Sequence, residues 1–447
     1  MLKKLYSYFS QTKPSASLQI IPREDHNISR KNVSHSAIKV IQRLNQSGFE
    51  SYLVGGGVRD LILGGKPKDF DIATSATPEE VRQTFRNSRI IGRRFKIVHV
   101  RFGREIIEVT TFRAQHEAES TSSDSARSDS GMLLRDNVYG DVVSDAWRRD
   151  FTINALYYTT NQFCIHDYTN GMQDLKQRKI RMIGNPAERY KEDPVRMLRA
   201  VRFAAKLGFT IEPATEKPIA QLRPLLANIP SARLFDESLK MFMGGYSLAC
   251  LEQLDKYKLL QFLAPAAAES LAKHESTRSF FELTMRNTDK RLANEQRVTP
   301  AYIYAALLWP AVAEQEIHFK AKGEHPARAH QLAAQDILSR QVKHTAIPKR
   351  FTQSMREIWE LQYRLLNPRG QQAFRLVEQP RFRAAYDFLL MREETGELLN
   401  DMGNWWTEFQ DAEEEERQEM VKNLGSNRKP QKRRRPRNHH QKSPTNN

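Results

Sequence analysis

The chain is poor in cysteine. Its 447 residues carry only two, Cys164 and Cys250. Two thiols so far apart form neither a disulfide framework nor a zinc-spaced ligand set, so a reducing, cytoplasmic compartment is expected. Long apolar runs are also missing. No segment approaches the roughly 18 residues that a membrane-spanning helix needs, which argues against integral insertion. The opening stretch MLKKLYSYFSQTKPS has basic residues but neither a continuous apolar centre nor a small-residue cleavage site, so it does not resemble a signal peptide. Nucleotide-binding signatures of the common kinds, GxxxxGK[ST] and GxGxxG, are absent as well. Acidic residues are in deficit: 53 Asp and Glu face 70 Lys and Arg, a formal charge of +17. Such a balance suits a polyanionic partner, and a nucleic acid or an anionic membrane surface would both satisfy it.

What is present changes along the chain. From Ser51 to Arg113, short β-branched runs alternate with Gly and Pro, and Thr77-Pro78-Glu79-Glu80 reads as a helix cap and first turn. The segment Glu117–Gly131 is polar and almost without apolar side chains, so it predicts a mobile loop. Beyond Pro186 the pattern becomes helical. Val195, Leu198, Val201 and Ala205 form one apolar stripe, and Trp309, Trp359, Tyr363, Trp405 and Trp406 are expected in helical cores. After the acidic run Glu413–Glu416 comes RKPQKRRRPRNHHQK, a low-complexity basic tail from Arg428 to Lys442.

Four motifs carry candidate chemistry. In YLVGGGVRDLILG, from Tyr52 to Gly64, a strand runs through Gly55, Gly56 and Gly57 into a helix. Glycines there let backbone N–H groups approach an anion, and Arg59 in the first turn can reach a phosphate. A tight turn without a ligand would use the same residues. KPKDFDIAT follows, with Asp69 and Asp71 two apart on an expected strand and hence on one side of it. Two like charges held together call for a counter-charge, which divalent cations supply. Such a pair can hold two Mg²⁺ ions roughly 3.5–4 Å apart, one activating a 3′ hydroxyl and the other steadying a leaving pyrophosphate. In EIIEVTTFR, Glu108 can lie opposite the pair on a neighbouring strand, or face outward. In AWRRDFTINAL, Arg148 and Arg149 can contact triphosphate while Asp150 approaches the sugar or the metals, although an RRD is also an ordinary surface cluster. The fourth motif, KEDPVRMLRAVRF, places Asp193, Arg196 and Arg199 on the face of an expected helix opposite the apolar stripe. An Asp beside an Arg can read a base edge, and a solvated ion pair is the other reading.

Taken together, GGGVRD, DFDIAT, EVTTFR, RRDFTINAL, GMQDL and EDPVRMLRAVRF resemble the class II branch of the polymerase β-like nucleotidyltransferases, the group that contains bacterial poly(A) polymerases and tRNA CCA-adding enzymes. The resemblance runs from about Tyr52 to Leu263. It implies an α+β fold, a small mixed-sheet nucleotidyltransferase head followed by all-helical neck, body and tail regions. The expected divisions are an extension at 1–38, a head at 39–184 with the mobile loop at 117–131, a neck and RNA-binding region at 185–265, a body at 266–424 and a disordered basic tail at 425–447. Carried over residue by residue, it implies metal binding by Asp69 and Asp71, an active-site role for Asp150 and base reading by Asp193 and Arg196. IIGRRFKIVHV from Ile90 to Val100, MLLRDNVYGD and the basic tail look like the poly(A) polymerase branch.

The implied activity is template-independent addition of AMP from ATP to RNA 3′ ends, using Mg²⁺ with Mn²⁺ as an alternative, and marking RNA for decay. A CCA-adding enzyme and a non-catalytic RNA-binding protein are the alternatives. A monomer acting on RNA 3′ ends is expected, with an RNA chaperone or decay nucleases as further partners and peripheral membrane association left open. His166-Asp167 sits in a β-like segment without further metal histidines and is assigned no catalytic role.

Overall fold

The computed structural model describes residues 18–92, 96–114, 125–127, 133–136, 138–368, 370–398 and 401–426. They fall into two compact units. The first holds the chain up to Ala268 together with Thr288–Gln296 and Gln341–Ala346, and the second holds Glu269–Asn287, Arg297–Arg340 and the chain from Ile347 on.

The first unit is built on an eight-stranded mixed sheet. In chain order its strands are β1 (Gln19–Ile21), β2 (Ser51–Val54), β3 (Asp71–Thr74), β4 (Ser88–Ile91), β5 (Ile97–Phe102), β6 (Glu105–Thr111), β9 (Leu156–Tyr158) and β10 (Ile165–Asp167). Their spatial order is β1-β10-β9-β2-β3-β6-β5-β4. Only β3 and β6 run parallel; every other neighbouring pair is antiparallel. Tyr52, Val54, Ala73, Phe112, Tyr157 and Tyr168 pack into one buried cluster with Val142 and Ala146, which is why these strands alternate or run apolar. Helix α1 (His35–Gln46), capped by Ser34, buries Ala37, Ile38, Val40, Ile41 and Leu44. Helix α2 (Gly56–Ile62) follows β2 directly. The expected cap at Thr77 is present as a full capping box with Glu80, opening helix α3 (Pro78–Thr84).

Part of the extension expected at 1–38 is built into the sheet: Gln19–Ile21 pairs antiparallel with β10 and completes the sheet edge. Two expectations need correction. Of the polar segment 117–131, the described part, β7 (Ser125–Arg127), is a strand paired with β8 (Leu133–Asp136), so local composition did not decide its backbone; the rest lies outside the described residues. The neck is not purely helical, since β11 (Lys179–Ile180) pairs in parallel with β12 (Thr210–Ile211). Asp167 accepts backbone N–H groups from Thr169, Gly171 and Met172 and so holds the turn after β10.

After helices α4 (Val142–Arg148), α5 (Gly171–Gln177) and α6 (Pro186–Glu192), helix α7 (Val195–Leu207) buries Val195, Leu198 and Val201 as its stripe predicts. Among the described residues of the second unit every regular element is helical. Trp309, Trp359 and Trp406 are buried there, and each indole N–H is satisfied: by the Glu397 carboxylate at 3.0 Å, the Ala305 carbonyl at 3.1 Å and the Leu365 carbonyl at 2.9 Å. Tyr363 and Trp405 are half-buried. No helix among the described residues is long and apolar enough to cross a membrane. The basic tail from Arg428 lies outside the described residues.

Candidate active site

The turn after β2 needs glycine at its first position. Gly55 has a φ of +73°, where a side chain is strained, and a Cβ on it would stand 3.5 Å from an Arg149 guanidinium nitrogen. A Cβ on Gly57 would meet the Asp69 carbonyl at 3.4 Å, so the start of α2 lies tight against the segment that carries the aspartates. Asp71 opens β3 directly opposite Val54, the last residue of β2. Asp69 lies two residues before the strand, not within it, yet both carboxylates border one cleft of about 930 Å³. Neither has a hydrogen-bonding or ion-pairing partner among the described residues. Burial, together with the charges of Glu108 and Asp69, pushes Asp71 up to about 6 against the pull of Arg149.

That uncompensated negative charge fits divalent cations, and the donors are hard oxygens. The fit has a limit: among the described residues no group of three or more His, Cys, Asp or Glu could hold a metal ion. Two carboxylates with the remaining positions left to water and phosphate oxygens is the way Mg²⁺ is usually held. Glu108 does stand in register with Asp71 on the parallel strand β6, as expected, but it is largely exposed, with its carboxylate 3.2 Å from His99, and it does not border the cleft. It therefore makes no third ligand in this arrangement.

Asp150 borders the cleft and is buried, but its oxygens are taken. Oδ1 accepts from the Phe151 N–H at 2.8 Å and from Asn154 at 3.2 Å, while Oδ2 accepts from Arg199 Nε at 2.7 Å. Burial opposes the charged form, yet Arg199, Asn154 and the Phe151 N–H outweigh it and hold Asp150 down at about 2. Asp150 also forms an ion pair that fastens α7 to the head. Arg59 likewise is not a free phosphate ligand. It is buried, donates to Asp60 at 2.7 Å and to Asn154 at 2.6 Å, and stacks 5.0 Å from the Phe203 ring. Asn154, quoted in the RRDFTINAL motif without a role, is the hub that joins Arg59 to Asp150.

The two arginines before Asp150 separate. Arg149 borders the cleft, held by Asp145 at 3.0 Å and the Tyr157 hydroxyl at 2.8 Å, and faces Gly55 and Asp71. Arg148 does not border the cleft; burial and the charges of Arg113, Arg189 and Arg196 bring it down to about 9. Helix α7 begins at Val195, not at Asp193, because Pro194 breaks the backbone bond pattern and Asp193 ends α6 instead. Asp193 is gripped by Arg233, whose two terminal nitrogens donate to its two oxygens at 2.9 and 2.7 Å. Burial disfavours its charge, but Arg233 more than offsets this and keeps the carboxyl below its ordinary range. Arg196 donates to the Arg189 carbonyl at 2.9 Å and pairs with Glu192. Asp193, Arg196, Arg199 and Arg233 all border the same cleft as Asp69 and Asp71. No spacing signal marks Arg233, which lies 40 residues beyond Asp193 in a helix, Ser231–Phe242, that reads as ordinary amphipathic structure.

A mixed-sheet head whose glycine turn faces two unpartnered aspartates, continued by a helix that lines the same cleft with arginines, defines a nucleotidyltransferase. Residues 51–181 match the family described as "Poly A polymerase head domain", 208–271 match "Probable RNA and SrmB- binding site of polymerase A", and 322–440 match "Polymerase A arginine-rich C-terminus". The chain is 48% identical over 423 residues to Poly(A) polymerase I of Salmonella typhimurium, covering 93% of this chain and 91% of that one. It is 42% identical to the CCA-adding enzyme of Enterococcus faecalis over 213 residues, 48% of this chain and 50% of that one. Among solved structures, the CCA-adding enzyme of Bacillus stearothermophilus in complex with CTP is similar with a TM-score of 0.55 and 26% identity, covering 88% of this chain and 82% of that one. The chain belongs to the bacterial poly(A) polymerase I family.

Proposed function

We propose that the chain adds adenylate from ATP to RNA 3′ ends without a template, and that Asp69 and Asp71 hold the divalent cations, Mg²⁺ in the first instance, that this reaction uses. When bound, the cations activate the 3′ hydroxyl and neutralise charge on the leaving pyrophosphate. The observation that carries the reading is the pairing of near-full-length similarity to a poly(A) polymerase I with two aspartates that have no hydrogen-bonding or ion-pairing partner among the described residues, in a cleft that is also lined by arginines and lysines. Gly55 and Gly57 leave the backbone bare beside Asp71, and Arg149, fixed by Asp145 and Tyr157, offers a guanidinium to a phosphate there. Asp193, steadied by Arg233, and Arg196 read the adenine edge. Asp150 and Arg199 hold the base-reading helix against the head, acting through position and not by touching the reacting atoms.

The second reading, a CCA-adding enzyme, is favoured by the 42% identity to such an enzyme over about half of either chain and by the likeness in fold to a solved one at 26% identity. Incubating the pure protein with an unstructured RNA and either ATP or CTP separates the two. Long ATP-dependent tails and no extension by CTP are expected; addition limited to three residues, with CTP used, would transfer the chain to the other reading. Tailing of RNA for decay in the cytoplasm, and recruitment by an RNA chaperone or nuclease, belong to the same proposal and are testable by crosslinking.

A further inference from the structure

Helix α7 lines one side of the cleft. Arg196, Arg199, Arg202 and Lys206 all border it, at spacings of three or four residues that place them along one side of the helix. At 1.5 Å per residue, Arg202 stands about 9 Å along the axis from Arg196, and Asp150, bound to Arg199, lies between them. Stacked bases repeat every 3.4 Å or so, hence the Arg202 end is two to three bases away from the Asp193–Arg196 end.

An aromatic ring waits at that far end. Tyr246 borders the cleft from a tight turn between helices Ser231–Phe242 and Ser247–Lys256, in which Gly245 has a φ of +85°. A Cβ on Gly244 would fall within the Tyr246 ring, so one ring face lies on bare glycine backbone. The hydroxyl donates to the Lys240 carbonyl at 3.0 Å and is hydrogen-bonded by Arg202. Arg202 is itself fixed, 4.4 Å over the Phe203 ring and 3.5 Å from Glu237. The hydroxyl end of the ring is therefore fixed by two hydrogen bonds and by its contact with Gly244. Among the described residues no aromatic ring or cation stacks on it. A half-buried tyrosine with its hydroxyl end fixed, one face on glycine and the other unpaired in a cationic cleft, has the form of a base-stacking platform.

We infer that Tyr246, seated on Gly244, stacks the 3′-terminal base of the RNA primer. This rests on the reading of the cleft as the site of nucleotide addition and goes beyond it by dividing the cleft into an incoming-nucleotide end and a primer end. The test is steady-state kinetics of the full chain and of Tyr246→Ala, Tyr246→Phe and Tyr246→Leu, with an unstructured RNA and ATP each varied in turn. Tyr246→Ala should raise KM for RNA by about 5- to 150-fold, the range expected when one base loses its stacking partner. KM for ATP should move less than about twofold, and Tyr246→Phe should recover most of the RNA affinity. Tyr246→Leu keeps the volume without the π face; if Tyr246→Ala melts early, loss of RNA affinity in a stably folded Tyr246→Leu carries the same meaning. A rise in KM for ATP with KM for RNA unchanged would assign the ring to the incoming nucleotide, and unchanged constants for both in Tyr246→Leu would remove it from the site. Either overturns the inference while leaving adenylate addition intact. Failure of the proposed function would instead appear as no addition by the wild-type chain.

Discussion

Removing Arg233 tests how the base-reading end of the cleft is built. Its guanidinium makes two charge-assisted bonds to Asp193, at 2.9 and 2.7 Å, in a fork-to-fork geometry that fixes the carboxylate plane as well as its position. Hydrogen bonds to a charged group are worth about 1.5–3 kcal/mol each when buried. Arg233 is about one third exposed and Asp193 about one fifth. Water can partly replace the missing donors, which lowers the expected net effect on base discrimination to about 1–2 kcal/mol, or about 5- to 30-fold. In Arg233→Ala, Arg196 is the nearest charge able to turn toward Asp193 and would do so at the expense of its own alignment. The ratio of kcat/KM for ATP to that for CTP, measured with one RNA, should fall by that factor. Arg233→Lys should be intermediate, since an ammonium keeps the charge and loses the fork. A lower melting temperature with an unchanged ATP-to-CTP ratio would refute the reasoning and leave the fork as a brace between helices.

Other outcomes follow from the same geometry. Asp69→Ala and Asp71→Ala should each reduce nucleotide addition to background with most RNA affinity retained, because binding and chemistry draw on different residues; near-normal turnover in either variant removes the metal assignment. Asp71 stands at about 6 without a metal, so below that pH a proton competes for the carboxylate. Half-saturating Mg²⁺ should rise up to about tenfold for each pH unit below 6 and be flat above it, and a flat profile throughout would contradict the site. Arg196→Ala should weaken discrimination of ATP from other nucleotides by about 1–3 kcal/mol, more than it slows turnover at saturating ATP, and unchanged preference would return that residue to structure. Deleting everything after Leu424 should weaken RNA binding and flatten its salt dependence, by about 0.7 in slope for each phosphate that the tail no longer neutralises; superimposable salt lines for the two chains would leave the tail with no role in RNA binding.

The head was readable because its chemistry is local. A glycine triplet after an apolar strand, aspartates two residues apart and β-rich flanks translate directly into a turn against a carboxylate pair, and Gly55 is required there by its φ. Reading failed where a side chain's partner is distant in sequence. Nothing near Arg59 foretells that Asn154, 95 residues on, will bury it, and nothing near Asp193 points to Arg233. Asp150, given an active-site role by the resemblance, does border the cleft, but its pairing with Arg199, 49 residues on, has no mark in the sequence around it. The β1 and β7 strands were missed for a related reason, since pairing with β10 and β8 and not local composition decides their backbone.

A single competition experiment tests the activity and the aspartate pair together. An unstructured RNA is incubated with equal ATP and CTP and Mg²⁺, and its 3′ ends are sequenced after reaction with the wild-type chain, Asp69→Ala and Asp71→Ala. Tails of adenylate alone are expected from the wild type and unextended ends from both variants. Tails containing cytidylate, or adenylate tails that persist in either aspartate variant, would contradict the proposed function.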